Sequence, residues 1–285
     1  MAKNTIRLND LSDYPRFLEL FHVEHSVTFT NSTVKVRTEE TNYLISPRHL
    51  RLSDLGFVRQ VKRHLEKLGY PKVDTGGGPS YFQFSKVRPG FYTDVVELDV
   101  NGAYWEIAYQ LGYLSEGLYL KGKDRERVSK SGRLIALGAA ACTKRTYHFD
   151  GQSYADDVTL EVNEVTRSYF VHIATVFDRI MESVFSSLPD ADRLLYWVDA
   201  FFVNQRSAPA VVQGLAAHGL ECKTVELSSL TAKVTKGGGT ELIAVAIEGR
   251  TEEKTDIRIK PFRQKTELDR EKLILNALDR RSKYV

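Results

Sequence analysis

Two aspartates stand where a carboxylate is costly. Asp99 lies in Val95-Val-Glu-Leu-Asp-Val100, and Asp199 lies in Leu194-Leu-Tyr-Trp-Val-Asp-Ala-Phe-Phe-Val203. An acid among strand-forming apolar residues loses hydration that only a partner or a cation can replace. Two such stretches in one chain point to acids that meet and hold divalent metal. Magnesium and manganese take oxygen ligands, which makes Asp99 and Asp199 candidate metal ligands and catalytic residues. Hard cations held there would lower the pKa of an attacking hydroxyl and neutralise charge during phosphoryl transfer. The other reading of the same two residues is an edge-strand acid and a buried, hydrogen-bonded one.

The neighbouring residues suit a triphosphate. Asn101 and Gly102 follow the Asp99 strand and offer backbone amides. Tyr104 lies on the strand-to-helix turn, where a ring can stack under a sugar and exclude a 2′-hydroxyl, or simply join the core. Glu97 shares a strand face with Asp99 and either assists it or is solvated. Between Lys121 and Arg145, eight basic residues face two acids, Asp124 and Glu126. Lys130, Arg133, Lys144 and Arg145 belong to this excess, which either neutralises phosphate or forms a solvated hairpin. Gly76-Gly-Gly78 offers amides to a phosphate or makes a plain turn, without the lysine of a phosphate-binding loop. His22-Val-Glu-His25 lacks the spacing of a zinc helix and is read as structural or surface.

These residues need elements to hold them. Strands are expected at Ser26–Asn31 and Thr33–Arg37 around an Asn31-Ser32 turn, at Tyr81–Val87, through Asp99, and through Asp199 as a single strand. A short helix is expected at Phe17–Phe21, and a longer one from Ser53-Asp54 carrying Leu55, Val58, Val61, Leu65 and Leu68. Ser131–Ala141 reads as a helix. Thr159–Ser187 gives the strongest helical stripe, through Val162, Val165, Tyr169, Ile173, Val176, Phe177, Ile180 and Val184. Further along, a helix is expected at Pro209–Gly219 and strands at Leu230–Thr235, Leu242–Glu248 and Asp256–Lys260. A charged helix at Glu267–Arg281 ends the series.

Composition sets outer limits. With 285 residues the chain can bury a full core as one large domain or two modest ones. A net charge of +3 means that any nucleic-acid surface must be local. Two cysteines, Cys142 and Cys222, are too few for a disulfide framework and lack zinc spacing, which suggests a reduced, cytosolic setting. No stretch reads as a membrane span or secretory signal.

The arrangement resembles family B DNA polymerases, most closely the protein-primed or primer-independent type. Asp99-Val-Asn-Gly-Ala-Tyr104-Trp is similar to their motif A, Asp-x-x-Ser-Leu-Tyr-Pro. Tyr196-Trp-Val-Asp199 is similar to motif C, keeping its second acid while Trp197 replaces the first. Val165-Thr-Arg167 resembles the helix before motif C. Arg133-Leu-Ile-Ala-Leu-Gly138 stands where the fingers helix carries its lysine, without the asparagine and tyrosine of that motif. Gly76–Gly78 stands where a template loop would be, and the strand ending at Lys260 resembles a later palm strand. Reverse transcriptases also pair a Leu-Asp-Val-x-x-Ala-Tyr strand with an acid-bearing one.

The resemblance spans about residues 70–265 and implies an α+β fold. Its core would be a palm-type antiparallel sheet backed by helices, with a short basic fingers-like insertion near 120–150. Residues 1–70 would form a mixed N-terminal region and 266–285 a C-terminal helix. It further implies Mg²⁺ or Mn²⁺ on Asp99, Val100 and Asp199. Nucleotide contacts would come from Val100, Asn101, Gly102, Ala103, Tyr104, Lys130 and Arg133. Nucleic-acid contacts would come from Gly76, Gly77, Gly78, Lys144, Arg145 and Lys260. The expected partners are nucleoside triphosphates, single-stranded or primer-template DNA, and a subunit or second copy in place of a thumb. No proofreading acids are visible upstream. The alternative is an inactive palm kept for nucleic-acid binding or assembly.

Overall fold

The computed structural model describes residues 4–8, 23–30, 34–45, 51–72, 83–85, 89–153, 155, 157–234, 240–248 and 251–255. Along them run β1 (Asn4–Leu8), β2 (His25–Phe29), β3 (Val34–Arg37), β4 (Thr41–Ile45), α1 (Leu52–Leu68), β5 (Gln83–Ser85), β6 (Gly90–Tyr92) and β7 (Val95–Val100). Next come α2 (Ala103–Gln110), α3 (Glu116–Lys123), α4 (Lys130–Gly138), β8 (Thr143–Phe149), β9 (Thr159–Val162) and α5 (Glu164–Ser187). Then follow β10 (Arg193–Trp197), β11 (Ala200–Asn204), α6 (Ala208–Ala217), β12 (Cys222–Val234), β13 (Thr240–Glu248) and β14 (Thr251–Thr255). The fold is α+β, and among the described strands every pairing is antiparallel except that of β1 with β4. No helix among the described residues is long and apolar enough to cross a membrane.

The described residues divide into two compact units. One draws on Met1–Gly76 and Ala108–His172, the other on Gly77–Ile107 and Ile173–Glu267. The basic stretch expected near 120–150 thus belongs to a longer segment that packs with the N-terminal region. Two features tie it there: β8 pairs with β2, and Asp54 of α1 binds Ser129 ahead of α4.

The first unit has a sheet in the order β1-β4-β3-β2-β8-β9. Strand alternation sends Val27, Phe29 and Val36 to one buried face, where Phe29 meets Tyr147 edge-on at 5.6 Å. His25 is buried here as well. Its Nδ1 bonds the Val23 carbonyl at 2.8 Å and its ring lies 4.8 Å from Phe149. Helix α1 buries Phe57, Val61 and Leu65 at a spacing of four, which keeps them on one stripe. Its N-cap is Arg51 rather than Ser53, because the Asp54 carboxylate reaches back to the Arg51 amide.

The second unit has a sheet in the order β14-β13-β12-β7-β11-β10-β5, with β6 also paired to β12. Its centre, β12-β7-β11-β10, is connected as a β-α-β-β-α-β run through α5 and α6. Val96, Leu98, Val100, Tyr196 and Phe201 share the face toward α5. Phe185 of that helix lies 5.3 Å from Tyr196 and 6.3 Å from Phe201. Fully burying each such side chain contributes roughly 2–3 kcal/mol. The opposite face carries Val95, Leu195, Ala200, Phe202, Leu227 and Leu230 as a second apolar cluster.

Several expected boundaries move. The helix expected at Thr159–Ser187 begins at Glu164, since Thr159–Val162 is strand and Asn163 caps the helix by accepting the Thr166 amide at 3.1 Å. The single strand expected through Asp199 is a hairpin, β10 and β11, with Val198 and Asp199 at its two-residue tip. Cys222–Val234 is one long strand, where only Leu230–Thr235 was expected. The expected Phe17–Phe21 helix, Asp256–Lys260 strand and Glu267–Arg281 helix lie outside the described residues.

Candidate functional site

Strand β7 runs between β11 and β12, so Asp99 has neighbours on both sides. It pairs with Ala200 of β11 and with Lys223 of β12. Because the hairpin turns at Val198 and Asp199, Asp199 directly precedes the partner of Asp99. The ladder continues one bond further, with the Val100 amide donating to the Asp199 carbonyl at 2.7 Å. Two acids separated by 100 residues in sequence therefore sit at one end of one sheet. Val198 reaches the hairpin tip with φ of 52°, in a region where a β-branched residue is strained. A two-residue hairpin normally puts glycine or asparagine at such a position.

By strand period Glu97, Asp99 and Lys223 share the face opposite α5. Burial first, then the charges of Asp99 and Asp199, push the Glu97 carboxyl above the usual range, while Lys223 opposes them. Both aspartates therefore bear on one carboxyl, and negative charge converges at this end of the sheet.

No protein-family model matches the chain, and no curated protein matches it.

The donor set at this end is oxygen-rich and suits a hard cation. Among the described residues, no three His, Cys, Asp or Glu side chains gather tightly enough to hold a metal ion by themselves. Magnesium does not require such a cage. It is commonly bound by one or two carboxylates, with waters and substrate phosphates completing its shell. Asp99 and Asp199, with a main-chain carbonyl such as that of Val100, fit that pattern.

The strand-to-helix turn departs from expectation at one residue. The Asn101 amide is not available to a triphosphate, because it donates to the Glu221 carbonyl at 2.8 Å and extends the ladder with β12. Gly102 then turns the chain with φ of 61°, and its carbonyl accepts from Trp105 and Glu106, which starts α2. Helix α2 opens at Ala103, and a helix N-terminus of this kind favours negative charge. Ala103 is buried, and the Tyr104 ring packs 5.3 Å from Phe177.

The other expected residues belong to the first unit or fall outside the described residues. Lys130 and Arg133 belong to the first unit, on the opening turn of α4, where Ser129 is the N-cap. Lys144 and Arg145 are consecutive on β8 and so belong to opposite faces of its sheet. Lys144 pairs with Glu161 at 2.8 Å. Gly76, Gly77, Gly78 and Lys260 lie outside the described residues. Sequence reasoning missed Lys223, which only the β7–β12 register brings to Asp99. Glu97 was visible two residues before Asp99, but its burial was not.

Glu97 gives a prediction with a definite sign. Its folded pKa exceeds the unfolded value, so stability is lost as pH rises through the carboxylate range and the penalty is full at neutral pH. Glu97→Gln is expected to raise the melting midpoint by a few degrees at pH 7.5, and the gain should vanish below about pH 4, where both forms are neutral. Thermal unfolding followed by circular dichroism at the two pH values checks this. Equal midpoints at pH 7.5 would contradict the charge convergence.

Proposed function

We propose that the chain is a metal-dependent nucleotidyltransferase with a polymerase-type palm, adding nucleotides to a nucleic-acid or protein hydroxyl, as in priming. The observation that carries this reading is the convergence of Asp99 and Asp199 beside Glu97 at one end of the second sheet. The β-α-β-β-α-β connection supports it, since it puts the two acid-bearing segments on adjacent central strands. Bound Mg²⁺ or Mn²⁺ would supply a lowered hydroxyl pKa and charge neutralisation on the transferred phosphoryl group. Asp99, Asp199 and the Val100 carbonyl would hold it. The N-terminus of α2 at Ala103 would meet phosphate, and Tyr104 would lie under the sugar.

A second reading, a non-catalytic palm kept for binding or assembly, is favoured by Trp197, which stands where motif C carries its first acid. One experiment separates the two. Purified chain is given a labelled nucleoside triphosphate and Mg²⁺ or Mn²⁺, with a primer-template, with unprimed DNA, or with no nucleic acid. Metal-dependent incorporation in any of these reactions supports the enzyme. Failure in all three with both metals overturns it in favour of the scaffold.

A further inference from the structure

The first unit carries a cationic sheet face. Register puts Lys35 opposite Thr28, and Thr28 opposite Thr146, while Arg37 lies across from Ser26. The Thr28 and Thr146 hydroxyls hydrogen-bond at 2.9 Å, which confirms that these strands present polar side chains to one side. Two residues along β8, Lys144 belongs to the same face, across from Glu161 of β9. Val27, Phe29 and Val36 are buried on the other side, while this side carries Thr28, Lys35 and Arg37, with Leu44 of β4 beside Lys35 and Thr146 buried.

Charge from α1 joins it. Lys62 of α1 and Lys144 line one groove of about 560 Å³ at the β9 edge, together with Glu66, Tyr70, Glu161 and Glu164. That edge is mixed in sign, and its carboxylates have partners. Glu161 binds Lys144, Glu66 accepts from Asn163 at 2.8 Å, and Glu164 lies 3.9 Å from Arg167. Further across the sheet Lys35 meets only like charge, while Arg37 also bears on Glu161. Partial burial depresses the Lys35 pKa, and the charges of Arg37, Arg59 and Lys144 depress it further. All three are cations. Self-repulsion of this kind destabilises the free protein, and a bound polyanion relieves it.

We propose that the face formed by Lys35, Arg37, Arg59 and Lys144 binds the phosphate backbone of single-stranded DNA without reading sequence. The charge pattern suits a polyanion. The choice of DNA rests on the nucleotidyl-transfer reading, but the test uses neither metal nor nucleotide, so it can succeed where incorporation fails. Recognition is by backbone because the face presents hydroxyls and cations, whereas the aromatic rings Phe29 and Tyr147 of β2 and β8 belong to the opposite side.

The test is fluorescence anisotropy of a labelled oligothymidylate with the full chain at two salt concentrations. Lys35→Gln with Arg37→Gln is expected to weaken binding at least tenfold. It should also make the slope of log affinity against log salt shallower by about 1.4, the share of two phosphate contacts on a single strand. Arg125→Gln, an exposed cation outside this face, should change neither. Lys35→Gln alone should raise the melting midpoint while weakening binding, an outcome that misfolding cannot produce. Unchanged affinity in the double variant, a loss matched by Arg125→Gln, or binding of heparin but not of oligothymidylate would each overturn the proposal.

Discussion

Asp99→Asn and Asp199→Asn are each expected to lower metal-dependent nucleotide incorporation by roughly a thousandfold or more, since even outer-shell partners of a metal typically cost 10–100-fold. Asparagine keeps the volume and removes the charge, so packing on β7 and at the hairpin tip is preserved. Both aspartates push the Glu97 carboxyl upward, so removing either charge relieves repulsion. The metal-free melting midpoint should therefore hold or rise. A binding readout accompanies the rate. A cation that binds only the folded state raises the midpoint with its concentration, and Mn²⁺ should do so in the wild type and in neither variant. Incorporation that survives one substitution would remove that residue from the site. A Mn²⁺ shift retained in both variants would mean that the cation binds elsewhere.

The acid-bearing segments were legible because each combines local signals. Around Asp99 the pattern changes from a period of two to a helical one at Gly102, and β7 and α2 follow it. The Asp199 segment was legible as strand but not as hairpin. Its tip is Val198-Asp199, without the glycine or asparagine that marks a tight turn, and Val198 takes φ of 52° regardless. Local pattern ran together what tertiary pairing separates. Residues 159–187 failed in the same way, since Val162 of β9 extends the apolar spacing of α5 backward and only the Asn163 cap divides strand from helix. Strand β8 was hidden because its polar side is the cationic face, so Thr143–Phe149 reads as a charged connection. Lys223 beside Asp99, and the engagement of Asn101 with Glu221, depend on pairing across more than 100 residues, which no window contains.

The largest structural loss is expected from Asp54→Ala, at about 3 kcal/mol, because it strips several charge-assisted hydrogen bonds and a cap from a buried place. The Asp54 side chain is fully buried and accepts from the Arg51 amide, the Ser129 amide and the Ser129 hydroxyl, each at 2.8 Å. One carboxylate thus anchors the starts of α1 and α4, two helices 75 residues apart. Burial pushes its pKa up, but the Ser129 and Arg51 amides, the Ser129 hydroxyl and the Arg51 charge outweigh burial and hold it below the usual range. A depressed folded pKa gives stability that is present above the unfolded value and lost as pH falls through the folded one. The gap between wild type and Asp54→Ala in urea unfolding should therefore be full at pH 7 and narrow in acid. Gly132 supplies an independent test. A Cβ there would lie 2.5 Å from Asp54 Oδ1 and 2.7 Å from its Cγ, so Gly132→Ala must displace the same carboxylate. The two substitutions together should cost less than their sum, because each removes the same bonds. Additive losses with no pH dependence would show that the two helix starts are held by something other than Asp54.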